Sequence, residues 1–407
     1  MSAIAPSLRE RNHALERQVN CPSCGLAQLA PFYRVERAPV HSVLLMPTRE
    51  IAVNFPRLDI ELAVCTSCGF ISNVIFNPSL HSYSADYEET QGFSATFREF
   101  HKHLAISLID KFDLHGKRII EIGCGKGEFL ALLTELGSNY GIGFDPAFVA
   151  ARNPAKACCD VKFVADFYSE KYADERAEFI CCKMTLEHIW NTEEFVSTIR
   201  RSIGDQQDCI VFFQVPDMSR VLRDLAFWDV YYEHCSYFTA GSLRRLFERC
   251  GFEVLETTTE YDDQYLTITA KPAKAPQYLT RASNSEIELL LAETRKFSAR
   301  CEESISAWRT YLNNCGEARK KVVIWGSGSK GVAFLTAVGM AAQIEYVVDI
   351  NPHRQGKFMA GTGQEIVAPE FLENYRPDVA IAMNAVYRGE IQKELDRMGL
   401  TTQLLAV

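Results

Sequence analysis

The sequence of 407 residues contains no apolar run approaching the roughly 20 residues that a membrane-spanning helix needs. The segment from Met1 to Gln18 carries charges but no apolar core, so we expect no secretory signal peptide. Acidic residues outnumber basic residues by 52 to 43, and the net charge of −9 argues against a general surface for nucleic acid or anionic membranes. We therefore expect a cytoplasmic protein, a monomer or homodimer, whose partner is a small molecule.

The length and patterning of the chain indicate two or three domains of the α/β class, because one hydrophobic core rarely serves 407 residues. Strand and helix patterns alternate from about residue 95 to 270, which is typical of a parallel sheet with helices on both faces. A long polar-rich helical stretch over 284–316 precedes a second α/β unit. The predicted strands are Arg118–Ile122, Tyr140–Phe144, Val161–Ala165, Phe179–Cys182, Cys209–Val215, Tyr265–Ala270, Val322–Trp325, Ile344–Val348 and Val379–Ala382.

Four cysteines near the N-terminus form two C-x-x-C pairs, Cys21 with Cys24 and Cys65 with Cys68. The chain has 14 cysteines and no expected secretion signal, which favours thiols or metal ligands over disulfides. A two-residue gap lets both thiolates of a pair reach one tetrahedral ion, so the two pairs predict a structural Zn²⁺ site. The long segment between the pairs costs little, because loop-closure entropy grows only logarithmically. Two unrelated buried pairs, or one redox pair, are the alternatives.

A first glycine turn follows the strand pattern at Ile119–Ile122 and opens a helix pattern. Glu121 precedes Gly123, Gly125 and Gly127, which is the pattern of class I S-adenosylmethionine methyltransferases. Glycine lets a ligand approach the backbone and the free N–H groups of the helix. An acid at this turn favours a cofactor that carries an ammonium group. A nicotinamide cofactor, whose pyrophosphate prefers a neutral turn, is the alternative.

Two further acids follow the next predicted strands. Asp145 ends the second strand, where it can accept hydrogen bonds from both ribose hydroxyls. Asp166 follows the third strand, where it can accept from the adenine amino group, and Phe167 can pack on the adenine ring. Acids at three successive strand ends therefore predict an S-adenosylmethionine site.

A polar cluster follows the later strands of the same unit. Tyr231, Glu233 and His234 lie within four residues, and His188 follows the fourth strand. Ligands in open α/β sheets bind outside the carboxyl ends of the strands, so these residues should border the cofactor crevice. A histidine beside an acid and tyrosines is suited to take a proton from carbon next to a carbonyl. The alternatives are a hydrogen-bonded core histidine and, at His188, a simple helix cap.

A second glycine turn, Gly326–Gly331, matches G-x-G-x-x-G between a strand and a helix, and Asp349 ends the next strand. In isolation this pattern predicts a nicotinamide-dinucleotide site. The residues that remain supply only about one mononucleotide half, which argues against it. Lys330 in the turn would suit a diphosphate. Glycines kept for close packing alone are the other alternative.

The order of these features resembles the nucleotide-sugar C-methyltransferases, which methylate C-3 of 4-keto-deoxysugars. The resemblance covers nearly the whole chain. It implies S-adenosylmethionine, structural Zn²⁺, a nucleotide-linked keto-sugar substrate and a non-redox C-terminal unit that holds the nucleotide end. It rests on the four-cysteine module, the two glycine turns, and the segments Leu186–Ile189 and Glu233–Phe238.

The resemblance also implies roles for single residues. His234 would remove the C-3 proton, while Tyr231 and His188 would stabilise the enolate oxygen. Glu233 would fix a sugar hydroxyl or orient His234. A further catalytic tyrosine is matched to Tyr87, with Tyr83 as its competitor.

The substrate contacts expected beyond these are Gln214 and Lys330. Where members of the family usually carry Arg-His, this chain carries Lys183-Met184.

We therefore predict an α/β protein with a zinc-binding module over 1–82 and a central class I methyltransferase Rossmann-like domain over 83–275. A helical connector over 276–316 and a C-terminal Rossmann-like α/β domain over 317–407 follow. The expected activity is methylation of a carbon next to a ketone. An O- or N-methyltransferase on another small molecule, or an NAD-binding oxidoreductase or bifunctional enzyme that uses Gly326–Gly331, are the alternatives.

Overall fold

The computed structural model describes residues 20–80, 87–152, 160–274, 281–339 and 343–407. The N-terminal segment from Met1 to Gln18, in which we expected no signal peptide, lies outside these residues. Tyr83 and the predicted boundaries at 82/83 and 275/276 also lie outside them. The division of the chain into four parts therefore stays a prediction. In the part of the chain that is described, no helix is both long and apolar enough to cross a membrane.

An antiparallel sheet follows the first cysteine pair, with the strand order β1-β2-β3-β9 in the described residues. Its edge strand β9 comes from the polar cluster segment, and Ile71 and Ser72 of β3 pair with it. The segment predicted to carry the chemistry is thus clamped to the N-terminal sheet. The elements are β1 (Leu29–Pro39), α1 (Arg49–Val53), β2 (Arg57–Cys65), β3 (Ile71–Asn73) and β9 (Ser236–Tyr237).

A seven-stranded sheet, counted over the described ranges, has the order β10-β11-β8-β7-β4-β5-β6. The strands from β8 to β6 are parallel, as predicted, whereas β11 is antiparallel to β8 and to β10. The chain reverses direction across the sheet between β4 and β7, which is where such sheets bind ligands. The strands are β4 (Arg118–Ile122), β5 (Tyr140–Phe144), β6 (Val161–Val164), β7 (Phe179–Lys183), β8 (Ile210–Pro216), β10 (Phe252–Glu260) and β11 (Tyr265–Pro272).

Helices cover both faces of this sheet, and two hydrophobic clusters fill the space beneath them. Successive residues of β4 alternate between the clusters, with Ile119 in one and Ile120 in the other. Glu121 therefore shares a face with Ile119, under the helices that begin at Ala95 and Glu128. The helices are α2 (Ala95–Phe112), α3 (Glu128–Gly137), α4 (Thr192–Ile203), α5 (Met218–Arg223) and α6 (Ala240–Arg249).

A third, parallel sheet has the order β14-β13-β12-β15-β16 within the described residues. The long helix before it matches the predicted helical stretch. Phe297 of this helix is buried, and its ring centroid lies 4.9 Å from that of Tyr33 in β1. The predicted α/β class with Rossmann-like units is confirmed. The elements are α7 (Asn284–Glu317), β12 (Val322–Trp325), α8 (Ser329–Val338), β13 (Ile344–Val348), β14 (Glu365–Val367), α9 (Leu372–Tyr375), β15 (Val379–Ala382), α10 (Arg388–Arg397) and β16 (Gln403–Ala406).

Candidate active site

A cavity of about 790 Å³ lies where the carboxyl ends of the second and third sheets face each other. The first glycine turn lines one side of it and the second glycine turn lines the other. Tyr231 and His234 from the polar cluster lie on its wall, as does Tyr87, which precedes α2. Both turns therefore open into one space, with the predicted catalytic segment beside them.

The backbone of the first glycine turn has no room for side chains. Gly123 has φ +72°, and a Cβ there would come within 2.0 Å of the Thr185 hydroxyl oxygen. Gly127, at φ +84°, packs against the Phe163 ring, which a Cβ would approach to 2.5 Å. Asp145 holds the turn, because its carboxylate accepts the N–H of Gly125 at 2.9 Å. The turn is thus a fixed surface of backbone against which a ligand can lie.

The three acids predicted to contact the cofactor all reach this cavity, although their surroundings differ. Glu121 is buried, its Oε2 atom has no hydrogen-bond partner among the described residues, and burial raises its pKa to about 8. Burial also raises the pKa of Asp145. Asp166 is held by the Lys171 ammonium and the Tyr172 hydroxyl, which lower its pKa to about 2. Phe167 beside it exposes 61% of its surface.

The polar cluster brings together two histidines from different segments, His188 after β7 and His234 before β9. The His188 and His234 rings are perpendicular, with centroids 4.8 Å apart, and the Tyr231 ring lies 4.1 Å from His234. His188 donates from Nδ1 to the carbonyl oxygen of Glu233 at 3.1 Å, a tautomer we infer from that contact. Burial and the neighbouring His234 lower the pKa of His188 well below its usual range. His188 is therefore neutral, with Nε2 as a hydrogen-bond acceptor.

A buried acid that the sequence did not single out lies beside His234. Glu187 Oε1 is 4.0 Å from His234 Nε2, and the carboxylate lines the cavity. Neither of its oxygens has a hydrogen-bond partner among the described residues. Burial raises the pKa of Glu187 to about 8. Its position at the end of β7, directly before His188, was the sequence signal that could have identified it.

Glu233, which we expected to contact a sugar hydroxyl or orient His234, lies behind the cavity wall. Its Oε2 accepts from the Ser42 N–H at 3.0 Å and from the Ser42 hydroxyl, and its Oε1 is 3.5 Å from His41 Nδ1. The Ser42 hydroxyl is also 2.7 Å from that of Ser329 in the second glycine turn. This placement does not favour the sugar contact. It makes Glu233 a link between the N-terminal sheet, the polar cluster and the second turn.

Gln214 is also placed differently from our expectation. It is buried in β8 at 1% exposure, opposite Lys183 of β7, and it does not belong to the cavity wall. Gln214 is thus a polar residue inside the sheet, away from the cavity wall. The predicted substrate contact of Gln214 is therefore not favoured.

The second glycine turn repeats the anchoring of the first. The N–H and hydroxyl of Ser327 donate to Asp349 Oδ2 at 2.9 and 2.5 Å. Lys330 reaches the cavity, where its Nζ lies 2.7 Å from Asp229 and 3.2 Å from the Gln264 amide oxygen. Its charge is thus shared with a carboxylate from the second sheet. Arg354 adds a buried cation 3.4 Å from the Ser327 hydroxyl.

The four N-terminal cysteines converge in the structure. The Sγ atoms of Cys21 and Cys68 are 3.8 Å apart, and those of Cys24 and Cys65 are 3.7 Å apart. All four sulfur atoms lie within 4.8 Å of one another. A tetrahedral Zn²⁺ with bonds of about 2.3 Å sets sulfur atoms about 3.8 Å apart. The donor set and its spacing therefore fit Zn²⁺.

Comparison with known proteins identifies the enzyme class. A methyltransferase-domain profile matches residues 97–257, and a C-methyltransferase C-terminal domain profile matches residues 266–402. The C-methyltransferase NovU of Streptomyces niveus is 26% identical over 297 residues, which cover 68% of this chain and 68% of that protein. The chain is an S-adenosylmethionine-dependent C-methyltransferase. Residues predicted from sequence to hold that cofactor line the cavity of this methyltransferase.

Two solved structures show more distant likeness to the methyltransferase. N,N-8-amino-8-demethyl-D-riboflavin dimethyltransferase of Streptomyces davawensis is 18% identical with a TM-score of 0.35, covering 44% of this chain and 56% of that one. Magnesium protoporphyrin IX methyltransferase of Synechocystis, with bound S-adenosylhomocysteine, is 14% identical with a TM-score of 0.34, covering 44% and 84%.

The crowded first turn predicts that Gly123→Ala abolishes detectable binding of S-adenosylhomocysteine, because the new methyl group displaces Thr185 or the turn. Isothermal titration calorimetry measures the binding. Gly116→Ala is the matched control, since Gly116 has φ +62° but no atom within 4 Å of its Cβ position. It should lose some stability and keep its affinity. Unchanged affinity in Gly123→Ala would contradict the assignment of this turn.

The buried Glu187 predicts a pH-dependent gain in stability for Glu187→Gln. The carboxyl ionises near its ordinary value of 4.5 in the unfolded chain but at about 8 in the folded one. It therefore destabilises the wild type increasingly as the pH rises between these values, and glutamine removes this effect. Thermal midpoints should show a larger gain at about pH 7.5 than at about pH 5. The control Glu193→Gln changes an exposed acid, and an equal gain for Glu187→Gln at both pH values would refute the prediction.

Proposed function

We propose that the methyltransferase acts on a carbon next to a ketone, C-3 of a nucleotide-linked 4-keto-deoxysugar. The observation that supports this most is the shared cavity, in which the polar cluster lies beside the two glycine turns. A substrate held at the second turn would present its reactive carbon to His234. A methyl donor held at the first turn would reach the same carbon.

The first glycine turn is proposed to hold the cofactor. The unpartnered oxygen of Glu121 fits an ammonium group, and Asp166 with the exposed Phe167 ring fits an adenine. Asp145 accepts the Gly125 N–H on Oδ2 and the Ala147 N–H on Oδ1, so a ribose would share its carboxylate with these two backbone groups. When bound, S-adenosylmethionine supplies an electrophilic methyl group on a sulfonium and leaves as a neutral thioether.

The second glycine turn is proposed to hold the diphosphate of the substrate. Gly328, the N-cap residue of helix α8, has no side chain that could cap the N–H groups of the first helical turn, so these groups suit an anion such as a diphosphate. Lys330 and Arg354 add positive charge on the same side of the cavity. Because Lys330 already contacts Asp229, a diphosphate would draw the ammonium group away from that carboxylate.

The proposed chemistry begins with proton transfer from C-3 to His234. The bond electrons move towards the ketone, whose oxygen takes the negative charge as an enolate. The positive charge formed on His234 would favour the ionised form of Glu187, 4.0 Å from His234 Nε2, and the carboxylate would then stabilise the imidazolium. The carbon nucleophile then forms the new carbon–carbon bond, for which the fixed positions of both reactants supply most of the rate.

Tyr231 is proposed to donate a hydrogen bond to the enolate oxygen. Desolvation in the buried cluster raises its pKa well above the usual range, so it stays protonated and can donate. Neutral His188 donates from Nδ1 to a backbone carbonyl, which leaves Nε2 as an acceptor and does not favour a role at the enolate oxygen. Tyr87 is proposed as a further substrate contact, since it is nearly buried and lines the cavity.

This mechanism predicts that His234→Asn lowers the rate of methyl transfer by about 10²–10⁴-fold, the usual contribution of a general base. The assay follows labelled methyl from S-adenosylmethionine to a nucleotide-linked 4-keto sugar. His103→Asn is the control, because its side chain is 70% exposed on α2. Transfer at the parent rate in His234→Asn would refute the assignment. A product with its new methyl on oxygen or nitrogen, located by NMR, would select the alternative methyltransferase.

We also propose that Cys21, Cys24, Cys65 and Cys68 hold a structural Zn²⁺. Purified protein should contain about one zinc per chain by atomic emission, since four thiolates leave no open position on the ion. Cys65→Ser should lose the metal and much of its thermal stability. Cys250→Ala, at a buried thiol outside the cluster, should retain the metal. Full zinc content in Cys65→Ser would contradict the proposal.

A further inference from the structure

A buried lysine faces the first glycine turn and has no role in the chemistry above. Lys183 ends β7, and Glu121 lies on the neighbouring strand β4 opposite Cys181. Since side chains alternate along a strand, Cys181 and Lys183 share a face, and Glu121 lies on the same face. Both charged groups line the cavity at the point where the sheet reverses its strand order.

Lys183 and Glu121 attract each other electrostatically but form no direct ion pair in the described structure. Burial lowers the pKa of Lys183 and raises that of Glu121, and each group counteracts the shift of the other. Lys183 donates to His101 Nε2 at 2.9 Å and lies 3.6 Å from the centroid of the Phe129 ring. Glu121 Oε2 has no hydrogen-bond partner within the described ranges. An ammonium and a carboxylate are therefore held side by side, each with part of its bonding capacity unused.

Separated buried charges of this kind are costly, because both are desolvated without the compensation of a direct pair. A ligand that carries a carboxylate and an ammonium on one carbon would satisfy both groups at once. The cofactor of this enzyme ends in such an amino-acid group. If Glu121 were the only charged group here, the carboxylate of the cofactor would be buried without a cationic partner.

We propose that Lys183 binds the carboxylate at the amino-acid end of S-adenosylmethionine while Glu121 binds the adjacent ammonium. The other lysine on this side, Lys126, donates to the Tyr87 carbonyl at 3.0 Å and lies 3.4 Å from Glu89. Lys330 is engaged with Asp229 across the cavity. Lys183 is thus the cation of the first turn that is not already paired with a carboxylate in the described structure.

The proposal is tested by calorimetric titration with S-adenosylmethionine and with its decarboxylated form, which keeps the amine and lacks only the carboxylate. Wild-type protein should bind the intact cofactor about 10–100-fold more tightly, as expected for a buried charge-assisted hydrogen bond. Lys183→Met should bring the two affinities together, and Lys183→Arg should keep most of the difference. Lys162→Met, at an exposed lysine of β6, should leave the wild-type ratio unchanged.

Equal affinity of the wild type for both ligands would overturn the proposal. A loss in Lys183→Met that is equal for both ligands would also overturn it, since Lys183 would then only compensate Glu121. If Lys183→Met does not fold, the double variant Lys183→Met with Glu121→Gln removes both charges, and it too should lose the discrimination. No sugar is present in these titrations, so their result is independent of the proposed substrate.

Discussion

A buried carboxylate must be given hydrogen-bond donors, and Glu233 takes its donors from another part of the chain. Ser42, which follows the first strand of the N-terminal sheet, offers both its N–H and its hydroxyl. The same hydroxyl contacts Ser329 of the second glycine turn. The segment that carries His234 is thus fixed to the residues that follow β1, and these residues also contact the second glycine turn. The cavity exists because these parts are fixed to one another.

The two glycine turns are anchored by the same kind of hydrogen bond but differ in the charges around them. In each, a strand-end acid accepts an N–H of the turn, Asp145 from Gly125 and Asp349 from Ser327. Because each acid already binds its own turn, its position at a strand end does not by itself indicate a ribose-binding site. What separates the turns is the surrounding charge, with Glu121 and Lys183 at the first and Lys330 beside a helix N-terminus at the second. The proposed division of labour between cofactor and substrate rests on that difference.

Sequence patterns predicted the bounds of five strands, β4, β5, β12, β13 and β15, as the structure has them. Each is a short, mostly apolar segment that stops at a loop. Strand β10 was not predicted, because its threonines do not alternate with apolar residues. Strand β9 was not predicted either, because it has only two residues. The role of Lys183 depends on β7 lying beside β4, and a sequence does not show which strands are neighbours. For the same reason Glu233 and Gln214 were expected at the cavity but lie behind its wall.

Proton exchange at the substrate carbon tests the proposed use of the cavity most directly. A nucleotide-linked 4-keto-deoxysugar would be incubated in D₂O with the enzyme and S-adenosylhomocysteine, so that no methyl group can be transferred. Proton NMR should show loss of the C-3 signal with the wild type and its retention with His234→Asn. Retention of that signal with the wild type, or equal exchange in the variant, would contradict deprotonation by His234.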